Sequence, residues 1–170
     1  MHDQRLLFAK TGRAKYISHL DLMRTFQRAF LRAGLEVAHT EGFNPHAFVS
    51  IPLPLSVGYS SDCELLEFGL PPETDLVSVP ERMNRALPEG ITVRRCYTGE
   101  KNCKYIHAIE WRLTLEYDRG VTPADREAVK ALLAQESCVV KKPSKKAKSG
   151  YTEVDIIPRI YAHTLEEGAG

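Results

Sequence analysis

Apolar residues recur at helical spacing through Leu22, Met23, Phe26, Ala29, Phe30 and Ala33, one stripe that predicts a helix over 18–33. Ser18 suits its N-cap, with Asp21 three residues on as the acidic partner of a capping box. Gly34 supplies the left-handed position where such a helix stops. Arg24, Arg28 and Arg32 fall four apart and stack along one face, so this helix has a core side and a cationic side. Before it, 5–10 (RLLFAK) reads as a short apolar strand and 11–15 as a basic turn. After it, 35–40 (LEVAHT) reads as a second strand.

The stretch 41–61 carries Gly42, Asn44, Pro45, Pro52, Pro54 and Gly58, and reads as a long connection with room for a short strand at 48–51. Ordered connections of that length are uncommon and often functional. A strand is expected over 64–70, broken by Pro71 and Pro72. Leu76, Val79, Met83, Ala86 and Leu87 mark a second amphipathic helix, 76–87, which Gly90 ends before an alternating strand at 91–97. The order β-α-β-β-α-β is a ferredoxin-like unit, with helices on one face of a mainly antiparallel sheet.

The pattern then begins again. Ile109, Trp111, Leu113 and Leu115 alternate within 105–117, which predicts a long strand. Thr122, Pro123 and Asp125 open a helix with apolar positions at Val129, Leu132 and Leu133. Strands follow at 137–142 and 151–157, and 158–170 reads as a tail. The fold class is therefore α+β: a ferredoxin-like unit over 1–100 holding the first helix and the Gly42–His46 loop, then a partial second unit over 101–170. A complete repeat needs one more helix and strand, so the chain reads as a piece of a longer protein, because four elements leave one sheet face uncovered.

Composition changes this picture little; charge changes it more. Apolar content of 43% and charged content of 26% are ordinary for a globular chain. The net charge of +1 hides blocks of about +4 over 1–40, −6 over 41–90 and +3 over 91–170. Such polarity can steer an anionic partner to one side. Cys63, Cys96, Cys103 and Cys138 form no C-x-x-C pair, so they read as structural, mostly buried, reduced thiols. No apolar leader opens the sequence, and no apolar run is long enough to span a bilayer, so a cytoplasmic location is expected.

Four groups of residues carry candidate chemistry. His19 and Asp21 stand at the start of the first helix, where His19 is a candidate anion donor or catalytic base and Asp21 already occupies part of the helix dipole. In Gly42-Phe43-Asn44-Pro45-His46, glycine frees the backbone and proline stiffens it, displaying Asn44 and His46 in fixed directions. His19, His39 and His46, with Asp62 and Cys63, are weak metal candidates without ligand spacing, and no cofactor is expected. Lys141, Lys142, Lys145, Lys146 and Lys148 put five lysines into eight residues between two strands. A hairpin with a basic tip suits RNA phosphates, and Tyr151 and Tyr105 lie near for stacking. The aromatic pattern with which RNA-recognition motifs read bases on a sheet is absent from the strands.

The strings KYISHLDLMRTFQRAFLRAGLEV, GFNPHAFVSIPLPLSVG and KSGYTEVDIIPRI resemble a bacterial radical-SAM-linked family, fused to or encoded beside cobalamin-binding radical-SAM enzymes. That resemblance implies a radical-SAM partner and no settled activity. The cluster motif C-x-x-x-C-x-x-C is missing, so the chain is expected to be an accessory module. The leading expectation is a non-catalytic module for RNA, transfer RNA included. Arg24, Arg28, Arg32 and the five lysines would hold phosphates there, with Asn44 and His46 reading a base or sugar edge. The alternatives are an RNA-processing or transferase enzyme using His19 and His46 as acid and base, and a protein–protein adaptor docking through Glu64, Glu67, Glu73 and Asp75. The leading expectation requires the arginine face and the Asn44/His46 turn to look the same way.

Overall fold

The computed structural model describes residues 3–166, which fall into two compact units divided between Ile109 and Glu110. In the first unit, β1 (Gln4–Lys10), α1 (His19–Arg32), β2 (Val49–Ser50), β3 (Ser61–Phe68), α2 (Val79–Ala86) and β4 (Ile91–Thr98) follow in chain order. The sheet order is β2-β3-β1-β4 and every neighbouring pair is antiparallel. This is the ferredoxin-like arrangement, and the mixed α+β class holds.

Alternation along β1 turns Leu6, Phe8 and Lys10 to the helical face, where all three are buried. α1 adds Leu22, Phe26, Ala29 and Phe30, and α2 adds Val79 and Met83. Phe8 meets Phe26 edge to face at 4.8 Å, and Phe30 lies at the same centroid distance from Phe68. Such aromatic pairs add roughly 0.5–1.5 kcal/mol beyond their buried area. The N-cap of α1 is Ser18, whose hydroxyl accepts from the Asp21 amide at 3.2 Å and donates to the Asp21 carboxylate at 2.7 Å. Gly34 ends the helix at φ 63°, and Arg82 on α2 donates to the carbonyls of Ala33 and Gly34. The orphan carbonyls of the last turn are thereby satisfied by a side chain of another helix.

The second strand lies elsewhere than the sequence suggests. Residues 35–40 bury Leu35 and Val37 but run past the end of β3, touching it at one point, where the Ala38 amide donates to the Gly69 carbonyl at 2.9 Å. The edge position beside Glu67 and Phe68 goes instead to Val49 and Ser50, within the short strand allowed for at 48–51. Pro52 follows and has no N–H to extend the ladder.

The second unit holds α3 (Pro123–Leu133), β5 (Val139–Pro143) and β6 (Tyr151–Asp155), the two strands forming an antiparallel hairpin. Thr122 and Asp125 close a full capping box at the start of α3, braced by a bidentate ion pair from Arg119. The strand expected over 105–117 is not formed. Cys103–Tyr105 is a 3₁₀ turn, and 106–117 pairs with neither β5 nor β6. An alternating pattern makes a strand only where a neighbour takes its backbone hydrogen bonds. Consequently Ile109, Trp111, Leu113 and Leu115 stay exposed, and no described residue from 110 onward is buried. A further 3₁₀ turn, Ile157–Arg159, opens the expected tail, whose residues 167–170 lie outside the described residues. No helix among the described residues is long and apolar enough to cross a membrane.

Candidate nucleic-acid interface

Residues 38–48 double back on themselves as a small irregular hairpin. His39 and Ala47 form an antiparallel bridge, and the Phe48 amide donates to the Ala38 carbonyl at 2.7 Å. Across the tip, the Thr40 amide donates to the His46 carbonyl at 2.8 Å, and the His46 amide donates to the Thr40 hydroxyl at 3.2 Å. The His46 ring is held as well. Its Nδ1 lies 3.1 Å from the Thr40 hydroxyl and 3.1 Å from the Asn44 carbonyl oxygen. A carbonyl only accepts, so the Asn44 contact favours the tautomer with its proton on Nδ1, in which Nε2 is left as an acceptor.

Asn44 therefore serves through its backbone carbonyl, and its side chain is exposed. Between Thr40 and Asn44, Gly42 takes φ 124°, a conformation that residues with a side chain rarely adopt, and Phe43 stands fully exposed. The sequence reading passed over Phe43. The signal available was an aromatic set among Gly42, Asn44 and Pro45, residues that favour a turn.

The loop hangs on one flank of α1, where the Gln27 side chain donates to the Ala47 carbonyl at 3.0 Å. Arg28 and Arg32 occupy another flank. With Thr25, Ala86, Leu87 and Pro88 they line an open groove of about 350 Å³ between α1 and the end of α2, and Arg32 donates to the Ala86 carbonyl at 2.6 Å. Successive helix positions turn by about 100°, so a shared outlook for Gln27 and the arginines one and five residues later is excluded. Arg28 and Arg32 thus lie on a flank of α1 other than the one that anchors the loop carrying Asn44 and His46. Arg24 points to solvent and pairs with Asp21 at 3.2 Å. The Ser18 hydroxyl, and then Arg24, hold the Asp21 carboxyl below its ordinary range.

His19 opens α1, half-buried, and its Nδ1 is enclosed without a hydrogen-bond partner among the described residues. Nearby, Lys10 is 1% exposed and its Nζ donates to the Ile17 carbonyl at 3.1 Å. Burial pushes its pKa down, and Glu64 opposes that shift. Among the described residues no three His, Cys, Asp or Glu side chains gather as metal ligands, so His19, His39 and His46 do not form such a set. The four cysteines are free thiols, but none is fully buried as expected, and Cys63 is exposed. Burial raises the Cys96 thiol to about 11. The Cys103 thiol donates to Glu67, which also pairs with Arg5.

In the second unit Lys141, Lys142, Lys145, Lys146 and Lys148 all lie exposed on the β5–β6 hairpin or its tip. The tip is an ordered turn, with the Ser144 amide bonded to the Gly150 carbonyl and the Gly150 amide to the Ala147 carbonyl, both at 2.9 Å. None of the five ammonium groups has a carboxylate partner among the described residues. Lys141 faces Glu153 across the ladder yet lies over the Tyr151 ring, 4.7 Å from its centroid. Asp155 instead accepts from the Ser137 hydroxyl and the Cys138 amide, which lowers its pKa.

A family model described as an uncharacterized protein conserved in bacteria, DUF2344, matches residues 4–169. No curated protein matches the chain.

Proposed function

The chain belongs to this bacterial family, and from that footing we propose that it is an accessory RNA-binding module that works in the cytoplasm beside a radical-SAM enzyme. One observation carries the reading: five solvated lysines on a single ordered hairpin, none neutralised by a carboxylate among the described residues. Like charges held this close repel one another, and a polyanion relieves that repulsion while releasing its own counterions. Tyr151, already beneath the Lys141 ammonium, adds an aromatic face to the same hairpin. Arg28 and Arg32 offer a further cationic groove in the first unit. The radical-SAM partner is supported by the S-H-L-D-L-M-R and G-F-N-P-H strings, which resemble the radical-SAM-linked family.

Titration of a labelled structured RNA against the full chain at increasing salt tests the proposal. Each phosphate neutralised on a single strand contributes about 0.7 to the slope of log affinity against log salt. Replacing Lys145, Lys146 and Lys148 by Gln is expected to cut that slope by about 2. Affinity that is undetectable at low salt, or flat across the titration, overturns it.

A further inference from the structure

The 40–46 loop combines two features that a plain turn does not need. A plain turn buries or folds down its aromatic residue, whereas Phe43 offers both ring faces to solvent. A plain turn also leaves a surface histidine free to rotate, whereas His46 is pinned at its amide, its carbonyl and its ring nitrogen. In the tautomer that the acceptor-only Asn44 carbonyl favours, Nδ1 carries the proton and Nε2 is an acceptor with no partner among the described residues. The Gln27 bond and the His39–Ala47 bridge anchor the loop's base, so this geometry exists before any ligand arrives.

An exposed aromatic face and an oriented acceptor in one short loop match a nucleotide outside a double helix. Its base has two free faces, and its exocyclic amine or its ribose 2′-hydroxyl can donate. A paired nucleotide offers neither face. We infer that the 40–46 loop receives one unpaired RNA nucleotide, its base stacked on Phe43 and one of its donors bonded to Nε2 of His46. This rests on the RNA-binding reading above and adds to it the part of the RNA that is read. Thr40 is then a positioning residue: its hydroxyl holds the His46 amide and ring, and it touches no ligand itself.

The experiment compares two RNAs of equal length at one salt concentration: a stem-loop with 2-aminopurine in its loop, and a fully paired duplex. The full chain is expected to bind the stem-loop about tenfold more tightly and to quench the 2-aminopurine. Phe43→Ala is expected to remove both the preference and the quenching while leaving duplex affinity unchanged. Its side chain contacts no core residue, and an unshifted circular dichroism melt confirms an intact fold. Thr40→Val is expected to lose part of the preference, and Thr40→Ser, which keeps the oxygen, to restore it. A DNA stem-loop of the same sequence separates the two donors: undiminished preference assigns the contact to the base, and a lost preference assigns it to the 2′-hydroxyl. Equal affinity for stem-loop and duplex, or a Phe43→Ala chain that still quenches, overturns the inference while the RNA reading stands. No affinity for either RNA at low salt overturns both.

Discussion

The Gln27 side chain donates to the Ala47 carbonyl at 3.0 Å, and this bond spans 20 residues to tie the 38–48 hairpin to the middle of α1. A net contribution of about 1 kcal/mol is usual for such a bond. Gln27→Ala is therefore expected to speed hydrogen exchange at the Thr40 and Phe48 amides about fivefold. Exchange at buried α1 amides such as Phe26 is expected to stay unchanged. Equal acceleration throughout α1 would show that the bond supports the helix rather than the loop.

Lys10 gives the first unit a pH signature. Its folded pKa lies below the ordinary 10.5, so in the interval ending at 10.5 the unfolded chain binds more protons than the folded one. Stability rises with pH wherever that is so. Urea unfolding of the native chain is expected to gain on Lys10→Met as pH climbs toward 10.5, and to stop gaining above it. A constant difference between the two chains would contradict the assignment.

Two glycines separate strain from crowding. Gly90 and Gly150 have positive φ, 85° and 77°, but a Cβ at Gly90 would lie 2.6 Å from the Thr11 carbonyl oxygen, whereas Gly150 faces open space. Gly150→Ala is expected to cost about 1 kcal/mol from backbone strain alone. Gly90→Ala is expected to exceed it by about 1–3 kcal/mol, since the clash is with backbone on one side and Ala14 on the other. Thermal or urea melts of each variant decide the order.

Trp111 is the chain's single tryptophan and is 51% exposed, so it reports on the second unit. Its emission is expected to lie red of a buried indole's, as a half-exposed ring requires. Phe26→Ala is expected to cost about 3–5 kcal/mol by circular dichroism. Leu115→Ala is expected within about 0.5 kcal/mol, because its side chain is already in water. A blue-shifted Trp111 would show that 106–117 has a covering partner.

Local chemistry was legible where a single element decided it. Ser18 at one helix start, Thr122 and Asp125 at another, and Gly34 at a helix end do as their residue types imply, whereas Asp21 takes the Ser18 hydroxyl in place of its amide, half of the expected capping box. The lysine hairpin could be read from two short strands flanking a charged, glycine-closed turn. The His46 restraint could not be read, because Thr40 reaches it only after the chain reverses between them.

Periodicity and capping residues, which act within a few positions along the chain, were enough to specify the α+β class, all three helices and the order of elements in the first unit. Edge pairing was settled in space: 35–40 and 48–51 both had strand character, and the one whose backbone met Glu67 and Phe68 became β2. The alternating 106–117 likewise forms no ladder with β5 or β6. That the loop settles on the Gln27 flank of α1 and the end of α2 on the Arg32 flank was likewise a packing outcome, between residues 20 and 54 positions apart. Hydrogen bonds across such distances depend on the whole core, and no window of neighbouring residues contains them.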